Sequence, residues 1–298
     1  MRPFLGPGAR GDVVEDLQRG LSALGHDTRG IDGVYGGNTA TAVVAYQGAW
    51  GLEPTGLAND EIWTAVTGQP LASLERRCLA LTAAIEGHGY SLALGNWDNA
   101  WLTWGIIGFN LRRGSLADLI REIARTLPGQ FEAAFGPAAA ELLAILDAPP
   151  GQQEAWANGI TVGRDLKEPW RSRFDRLGKV PEVRALQRRY AVERYYLPAA
   201  RTASRFDLRT ELGFALCFDI HVQNGSVKPE GEAQARRNFG DDEASRRVSI
   251  ANAVADFADE QYRADVRKRK LAIARGEGSV HGLTLKLVNW GLGEFAAV

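Results

Sequence analysis

The chain is poor in the residues that announce several common chemistries. It holds two cysteines, Cys78 and Cys217, in 298 residues. Both lie in apolar surroundings far apart in sequence, so buried free thiols are expected and a disulfide framework is not supported. Four histidines (His26, His88, His221, His281) are scattered, without HxxxH or CxxC spacing. That pattern argues against a metal site, and no cofactor is expected. Neither charge is in excess: 35 Lys and Arg face 36 Asp and Glu, for a net charge of −1. A nucleic-acid binder would carry a basic patch, so none is expected as partner. No run approaches about 18 apolar residues, so no membrane insertion is expected. The start, MRPFLGPGARGDVVEDLQRG, lacks the apolar centre of a secretory signal.

What is present supports a globular protein. Apolar residues make up 45% of the chain and charged residues 24%. That length and composition allow one large domain or two smaller ones.

Residues 8–64 show helical periodicity broken by glycine turns. Val13, Leu17, Leu21 and Leu24 share one helical stripe, with Asp12 as a candidate cap and Gly25 as its end. IDGVYGGNT reads as a turn, after which Thr39 opens a second helix through Ala42, Val43 and Tyr46. GLEPTG is another turn, followed by a short third helix near 60–66. Three short helices make a unit able to fold alone. The order GxRGxxVxxLQxxLxxLG, DGxxGxxTxxAVxxxQ, GLxxTG and a closing Trp resembles the peptidoglycan-binding module of bacterial cell-wall hydrolases. It is carried by Gly8, Arg10, Gly11, Val14, Leu17, Gln18, Leu21, Leu24, Gly25, Asp32, Gly33, Gly36, Thr39, Ala42, Val43, Gln47, Gly51, Leu52, Thr55, Gly56 and Trp63. The resemblance implies peptidoglycan as partner for residues 1–68. Positions 69–73 read as a linker, and a hinge there would tether residues 74–298 near the polymer.

The second domain opens on a helix with Leu74, Cys78, Leu81 and Ile85 on its buried face. Gly87 and Gly89 must end it, which leaves Glu86 in the last turn. A helix C-terminus disfavours negative charge, and aromatic neighbours remove water. Both favour the neutral acid that a glycosidase uses to protonate a leaving oxygen. Asp98 follows on a turn built from Gly95, Asn96 and Asn99. Ser115 caps the next helix, with Leu116, Leu119, Ile120, Ile123 and Leu127 as its apolar face and Pro128 as its stop. An acid on a helix end facing an acid on a turn is a glycosidase-like arrangement.

The run Asp98-xxxx-Thr103-x-Gly105-Ile-Ile-Gly-Phe109 resembles the signature of family 46 chitosanases, in the lysozyme-like superfamily. The resemblance implies Glu86 as general acid, Asp98 as general base, and Thr103 as the residue that helps hold the attacking water. Glu86 and Asp98 are 12 residues apart, a shorter interval than the family leads one to expect. Tyr90, Asn96, Trp97, Trp101 and Trp104 surround the pair; sugar rings stack on Trp and Tyr, and the same residues also fill cores.

Further along, 182–197, 207–224 and 244–275 read as helices. Asp219 lies inside an apolar helical run, where an unpaired charge is costly. Arg267 or Arg269 is the expected partner, and the resemblance implies a structural pair of Asp219 with Arg267. His221 and Asn224, with Gln223, are candidates for lining a cleft. RGEGSVHG reads as a glycine-rich loop without a nucleotide fingerprint.

Together these features predict a mainly α protein: a small three-helix module, then a two-lobed lysozyme-like α+β domain with a short β element. The expected activity is inverting hydrolysis of the peptidoglycan backbone, as by a muramidase. A chitosanase, a non-catalytic wall-binding protein and a lytic transglycosylase stay open. Made in the cytoplasm without a signal peptide, such an enzyme would reach the wall through phage release or a secretion apparatus. A holin or an immunity protein is the functional partner such a route implies.

Overall fold

Apolar spacing and glutamine side chains shape the front module. In the computed structural model, which describes residues 2–297, Val13, Val14, Leu17 and Leu21 are the buried stripe of helix Asp12–Ala23. Its cap is Gly11, at a φ of 108°, rather than Asp12, whose carboxylate pairs with Arg76 at 3.4 Å. Helix Gly37–Ala49 begins before Thr39, which is buried inside it. Helix Asp60–Thr67 is capped by the Asn59 side chain, which accepts from the Ile62 N–H. Strand Pro3–Leu5 pairs antiparallel with Ala58–Asn59. Two buried glutamines account for the spacing of the glycine turns. Gln18 accepts from the Gly33 N–H at 2.9 Å and donates to Asp32 at 2.8 Å and Thr39 at 3.0 Å. The Gln18 bond, helped by the Val34 N–H, holds the Asp32 carboxyl below the usual carboxylate range. Gln47 does the same for the next turn, accepting from the Gly56 N–H and donating to Thr55, both at 2.9 Å.

The chain divides into two compact units, one of residues up to 85 and from 194, the other Glu86–Glu193. The front module belongs to the first unit and is fastened within it. Segment 69–73, expected to act as a hinge, is tied down at both ends. The buried Trp63 indole donates to the Pro70 carbonyl at 2.9 Å, and Arg77 Nε donates to the Ala72 carbonyl at 2.9 Å. A buried indole N–H needs such a partner. The module also meets the end of the chain: the Gly6 N–H donates to the Asn289 carbonyl at 3.1 Å. Arg2 and Arg77 both bond Glu211, which is 2% exposed.

Helices Leu74–Glu86, Leu197–Arg205, Glu211–Asn224, Pro229–Arg237, Glu243–Asp256 and Arg263–Arg275 make the rest of this unit. The single helix expected over 244–275 is two, broken where the polar stretch at 257–262 offers no apolar stripe and makes only a short 3-10 turn, Glu260–Tyr262. RGEGSVHG forms a hairpin, not an open loop. Strand Glu277–Val280 pairs with Leu283–Lys286, and His281 and Gly282 both take positive φ, as a two-residue type I′ turn requires.

Asp219 has a different partner from the one expected. Arg267 turns outward and bonds Asn252 and Asp256. The buried face of Arg263–Arg275 runs through Val266, Arg269, Lys270 and Ile273, the i, i+3, i+4, i+7 stripe. Arg269 therefore meets Asp219 at 2.6 Å and Lys270 meets it at 2.5 Å, with Thr82 Oγ1 donating at 3.2 Å. Asp219 is 0% exposed. Burial pushes its carboxyl up, and the two cations outweigh burial and hold it well below the usual range.

In the second unit, Ala93–Leu94, Thr103–Trp104 and Phe109–Asn110 form an antiparallel sheet in chain order. Helices Ser115–Thr126, Pro128–Phe135, Ala138–Asp147, Pro150–Ile160, Trp170–Lys179 and Pro181–Ala191 follow. Trp104, Phe135, Trp170 and Phe174 pack ring against ring as its core. Gly178 must be glycine, because a Cβ there would lie 2.4 Å from the Tyr90 carbonyl oxygen. The protein is mainly α, with short strands, as the periodicity predicts.

Asp219→Ala leaves two buried cations without their anion. The expected loss is about 3–5 kcal/mol of unfolding free energy, read as a lower urea midpoint. A midpoint equal to that of wild type contradicts the cluster's role. Because the folded-state pKa is depressed, the contribution of Asp219 is present above the ordinary carboxylate range and is lost only as pH falls through the depressed value.

Candidate active site

Two turns carry the candidate acids. Helix Leu74–Glu86 ends on Glu86, and Gly87, at a φ of 71°, lets the chain turn away. Glu86 is half-buried. Asp98 lies exposed on a turn held by its own side chains. Its Oδ1 accepts from the Ala100 N–H at 3.1 Å, an Asx turn. Asn96 Oδ1 accepts from the Trp101 N–H at 3.0 Å, and Asn96 Nδ2 donates to Asn158 at 2.8 Å. The Asn96 amide, expected to meet substrate, is thus a clamp on the turn that carries Asp98. Asn99 and Trp101 both adopt positive φ, at 66° and 67°. Such strain in non-glycine residues clusters at functional sites.

Thr103 is buried on the middle strand, opposite Leu94 and Asn110. The strand then turns through Gly105-Ile-Ile-Gly108. Gly108 has a φ of 67°, and a Cβ there would come 3.0 Å from His88 Nε2 and 3.1 Å from Thr103 Cγ2. The His88 ring therefore lies across Gly108, beside Thr103. Burial lowers its pKa, and the charges of Glu86 and Asp98 both oppose that shift. One imidazole feels both candidate carboxylates. The sequence reading passed over His88; its position two residues after the candidate acid is the signal it left.

The aromatic residues divide. Trp97 is 47% exposed, with the Arg164 guanidinium 4.0 Å from its ring centroid. Trp101 is 8% exposed and its indole nitrogen is buried without a hydrogen-bond partner among the described residues. Tyr90 is buried, with Arg184 and Arg188 over its ring, and its hydroxyl accepts from Arg188 at 3.3 Å. Trp104 is fully buried and donates to the Phe174 carbonyl. Tyr90, Trp101 and Trp104 are core residues here, and the expected stacking faces of Tyr90 and Trp101 are covered. His221 and Asn224 belong to the other unit, where His221 Nε2 bonds Thr202 Oγ1 at 2.9 Å.

A separate groove of about 360 Å³ opens on the front module. Pro3, Tyr46, Leu52, Leu57, Ile62 and Ala65 line it, together with the carboxylates Glu53 and Glu61. Leu52, Leu57 and nearby Trp50 are exposed. No group of three or more His, Cys, Asp or Glu among the described residues is placed to hold a metal ion, and no described helix is long and apolar enough to cross a membrane.

Residues 10–66 match the family described as "Putative peptidoglycan binding domain", in agreement with the motif of the front module. No curated protein was found to match the chain. Among solved structures, the chain is similar to the native chitosanase of Bacillus subtilis MY002, at 19% identity over 68% of this chain and 86% of that one, with a TM-score of 0.49. It is also similar to a Gynuella sunshinyii GH46 chitosanase in complex with chitotetraose, at 18% identity over 68% and 86%, with a TM-score of 0.43.

Gly108→Ala tests the packing of this site. A left-handed φ costs a residue with a Cβ about 1–2 kcal/mol, before any clash with His88. The thermal midpoint is expected to fall accordingly; an unchanged midpoint contradicts the contact.

Proposed function

We propose that this protein is a cell-wall glycoside hydrolase that cuts the glycan backbone of peptidoglycan between N-acetylmuramic acid and N-acetylglucosamine. The observations that carry the reading are Glu86 at the end of a helix and Asp98 on a braced turn, with the charges of both acting on the half-buried His88 ring. Two carboxylates in unlike surroundings suit an acid and a base. Glu86 is half-buried on a helix end and Asp98 is exposed on a turn. In this reading Glu86 protonates the glycosidic oxygen, and the leaving sugar departs. Asp98 removes a proton from a water on the opposite face of the ring, with Thr103 helping to orient that water. Trp97 offers a stacking face for a sugar on the same turn. The reaction is a single displacement and inverts the anomeric carbon.

Peptidoglycan as the polymer is supported by the front module, whose family match is to a peptidoglycan binding domain. The module's apolar groove is the proposed seat for the wall. A second reading, hydrolysis of a β-1,4 glucosamine polymer, is favoured by the run from Asp98 to Phe109, which resembles the chitosanase signature.

Following the products of wild type by NMR is expected to give the inverted anomer first. Retention contradicts the single displacement. Asp98→Asn is expected to lower kcat by about 10²–10⁴-fold, the usual contribution of a general base. Release of anhydro-muramyl ends would instead indicate a lytic transglycosylase. For the groove, covering a leucine side chain contributes about 1.5–3 kcal/mol. Leu57→Asp is therefore expected to weaken retention on purified sacculi by about tenfold or more; unchanged retention places the polymer elsewhere on the module.

A further inference from the structure

The turn that carries Asp98 is packed against a second hairpin. Strands Thr161–Val162 and Asp165–Leu166 pair antiparallel, with Gly163 and Arg164 at the tip. The Gly95 N–H donates to the Arg164 carbonyl at 2.9 Å, and the Asn96 N–H donates to Thr161 Oγ1 at 2.9 Å. Gly95 must be glycine, because a Cβ there would lie 2.4 Å from Thr161 Oγ1 and 2.9 Å from the Asp165 carbonyl oxygen. These contacts fix the hairpin against the turn. Its tip sets the Arg164 guanidinium over Trp97, the residue next to Asp98, at 4.0 Å from the ring centroid.

Other arginines that lie over rings differ from this one. Arg173 covers Trp170 and Arg236 covers Phe206, but both of those rings are buried. Arg236 is also paired with Glu232 at 2.9 Å. Trp97 is exposed, and the Arg164 side chain makes no ion pair or hydrogen bond among the described residues. Stacking restrains a guanidinium without using its N–H groups. The planar fork left over matches a carboxylate, which it can hold through two parallel N–H···O bonds. Lys167, the other cation of this segment, is engaged elsewhere, donating to the Gly159 carbonyl at 2.8 Å.

We propose that Arg164, held on Trp97, binds a carboxylate of the glycan, borne by the lactyl group of muramic acid or by the stem peptide attached to it. The proposal rests on the peptidoglycan reading above and names the group that sets this polymer apart from a glucosamine chain. An exposed carboxylate such as Asp98, standing alone, attracts the ammonium groups of glucosamine and repels an anion. Arg164 reverses that preference at the neighbouring residue. The indole offers apolar contact to a sugar ring, and the guanidinium offers charge to the acid beside it. Arg164 sets which glycan is accepted and takes no part in breaking the bond.

Binding is read first, without cleavage. The Trp97 indole N–H signal, assigned with Trp97→Phe, is followed by NMR in wild type and Arg164→Gln as a glycan is added. The probes are the disaccharide of N-acetylglucosamine and N-acetylmuramic acid with its lactyl carboxylate free, the same disaccharide carrying its stem peptide, and the N-acetylglucosamine dimer. The acidic probes are expected to bind wild type at least about tenfold more tightly than the dimer, the effect of one charged hydrogen-bonded pair. Arg164→Gln is expected to remove that difference. The tighter of the two acidic probes assigns the carboxylate to the lactyl group or to the peptide. Equal binding of all three, or an advantage that survives Arg164→Gln, overturns the proposal. On solubilised peptidoglycan, Arg164→Gln is expected to raise KM about tenfold with kcat and thermal midpoint unchanged, and Arg164→Lys to restore part of the loss. An unchanged KM overturns the proposal and leaves the hydrolase reading intact. A wild type that cuts no glycan, yet favours the acidic probes through Arg164, counts against the hydrolase reading and leaves the carboxylate site standing.

Discussion

The buried carboxylate of Asp219 is the interaction on which the larger helical unit depends. It draws Arg269 and Lys270 into an otherwise apolar interior and takes a hydrogen bond from Thr82. Three helices therefore meet at one anion: Leu74–Glu86, Glu211–Asn224 and Arg263–Arg275. Removing charges from water costs several kcal/mol each, so the cluster holds only when complete. Its reward is orientation. Thr82 lies one turn before Glu86 on the same helix, so the anion fixes the rotation of the helix that ends in the candidate acid. A helix held by apolar contacts alone could rotate or slide more cheaply.

The same logic, with glycine in place of charge, governs the candidate site. The chain leaves the helix at Gly87, turns tightly through 96–99, and turns again at Gly108, where a positive φ makes room for the His88 ring. Asn96 ties the Asp98 turn to Trp101 and Asn158, so the base is carried on a braced loop. Bracing of this kind is what holds catalytic groups within reach of each other.

Much of this was legible from residue spacing, and the exceptions share a cause. The front module announced itself because its turns need glycines and its helices carry single apolar stripes. Glu86 at a helix end followed from GHG, and Asp98 on a turn followed from its Gly and Asn neighbours. The caps moved by one residue, from Asp12 to Gly11 and from Ser115 to Gly114, because backbone geometry rather than a side chain starts both helices. What could not be read depended on contacts distant in the chain. The choice of Arg269 over Arg267 needs the face of a helix whose start was hidden by the break at 257–262. The burial of Tyr90 and Trp101 needs the arginines and helices that cover them. The fastening of the module needs Gly6 beside Asn289, at opposite ends of the sequence. Of the helices between 128 and 179, two begin at prolines, Pro128 and Pro150.

The central claim is that Glu86 is the acid of a glycan-cutting enzyme whose polymer is peptidoglycan. The most direct measurement is mass spectrometry of the fragments released from purified peptidoglycan, and separately from chitosan, by wild type and Glu86→Gln at equal concentration. The account predicts fragments ending in reducing N-acetylmuramic acid from wild type on peptidoglycan, and essentially none from the variant. Equal release by the two proteins would contradict the role of Glu86, and release from chitosan alone would contradict the polymer.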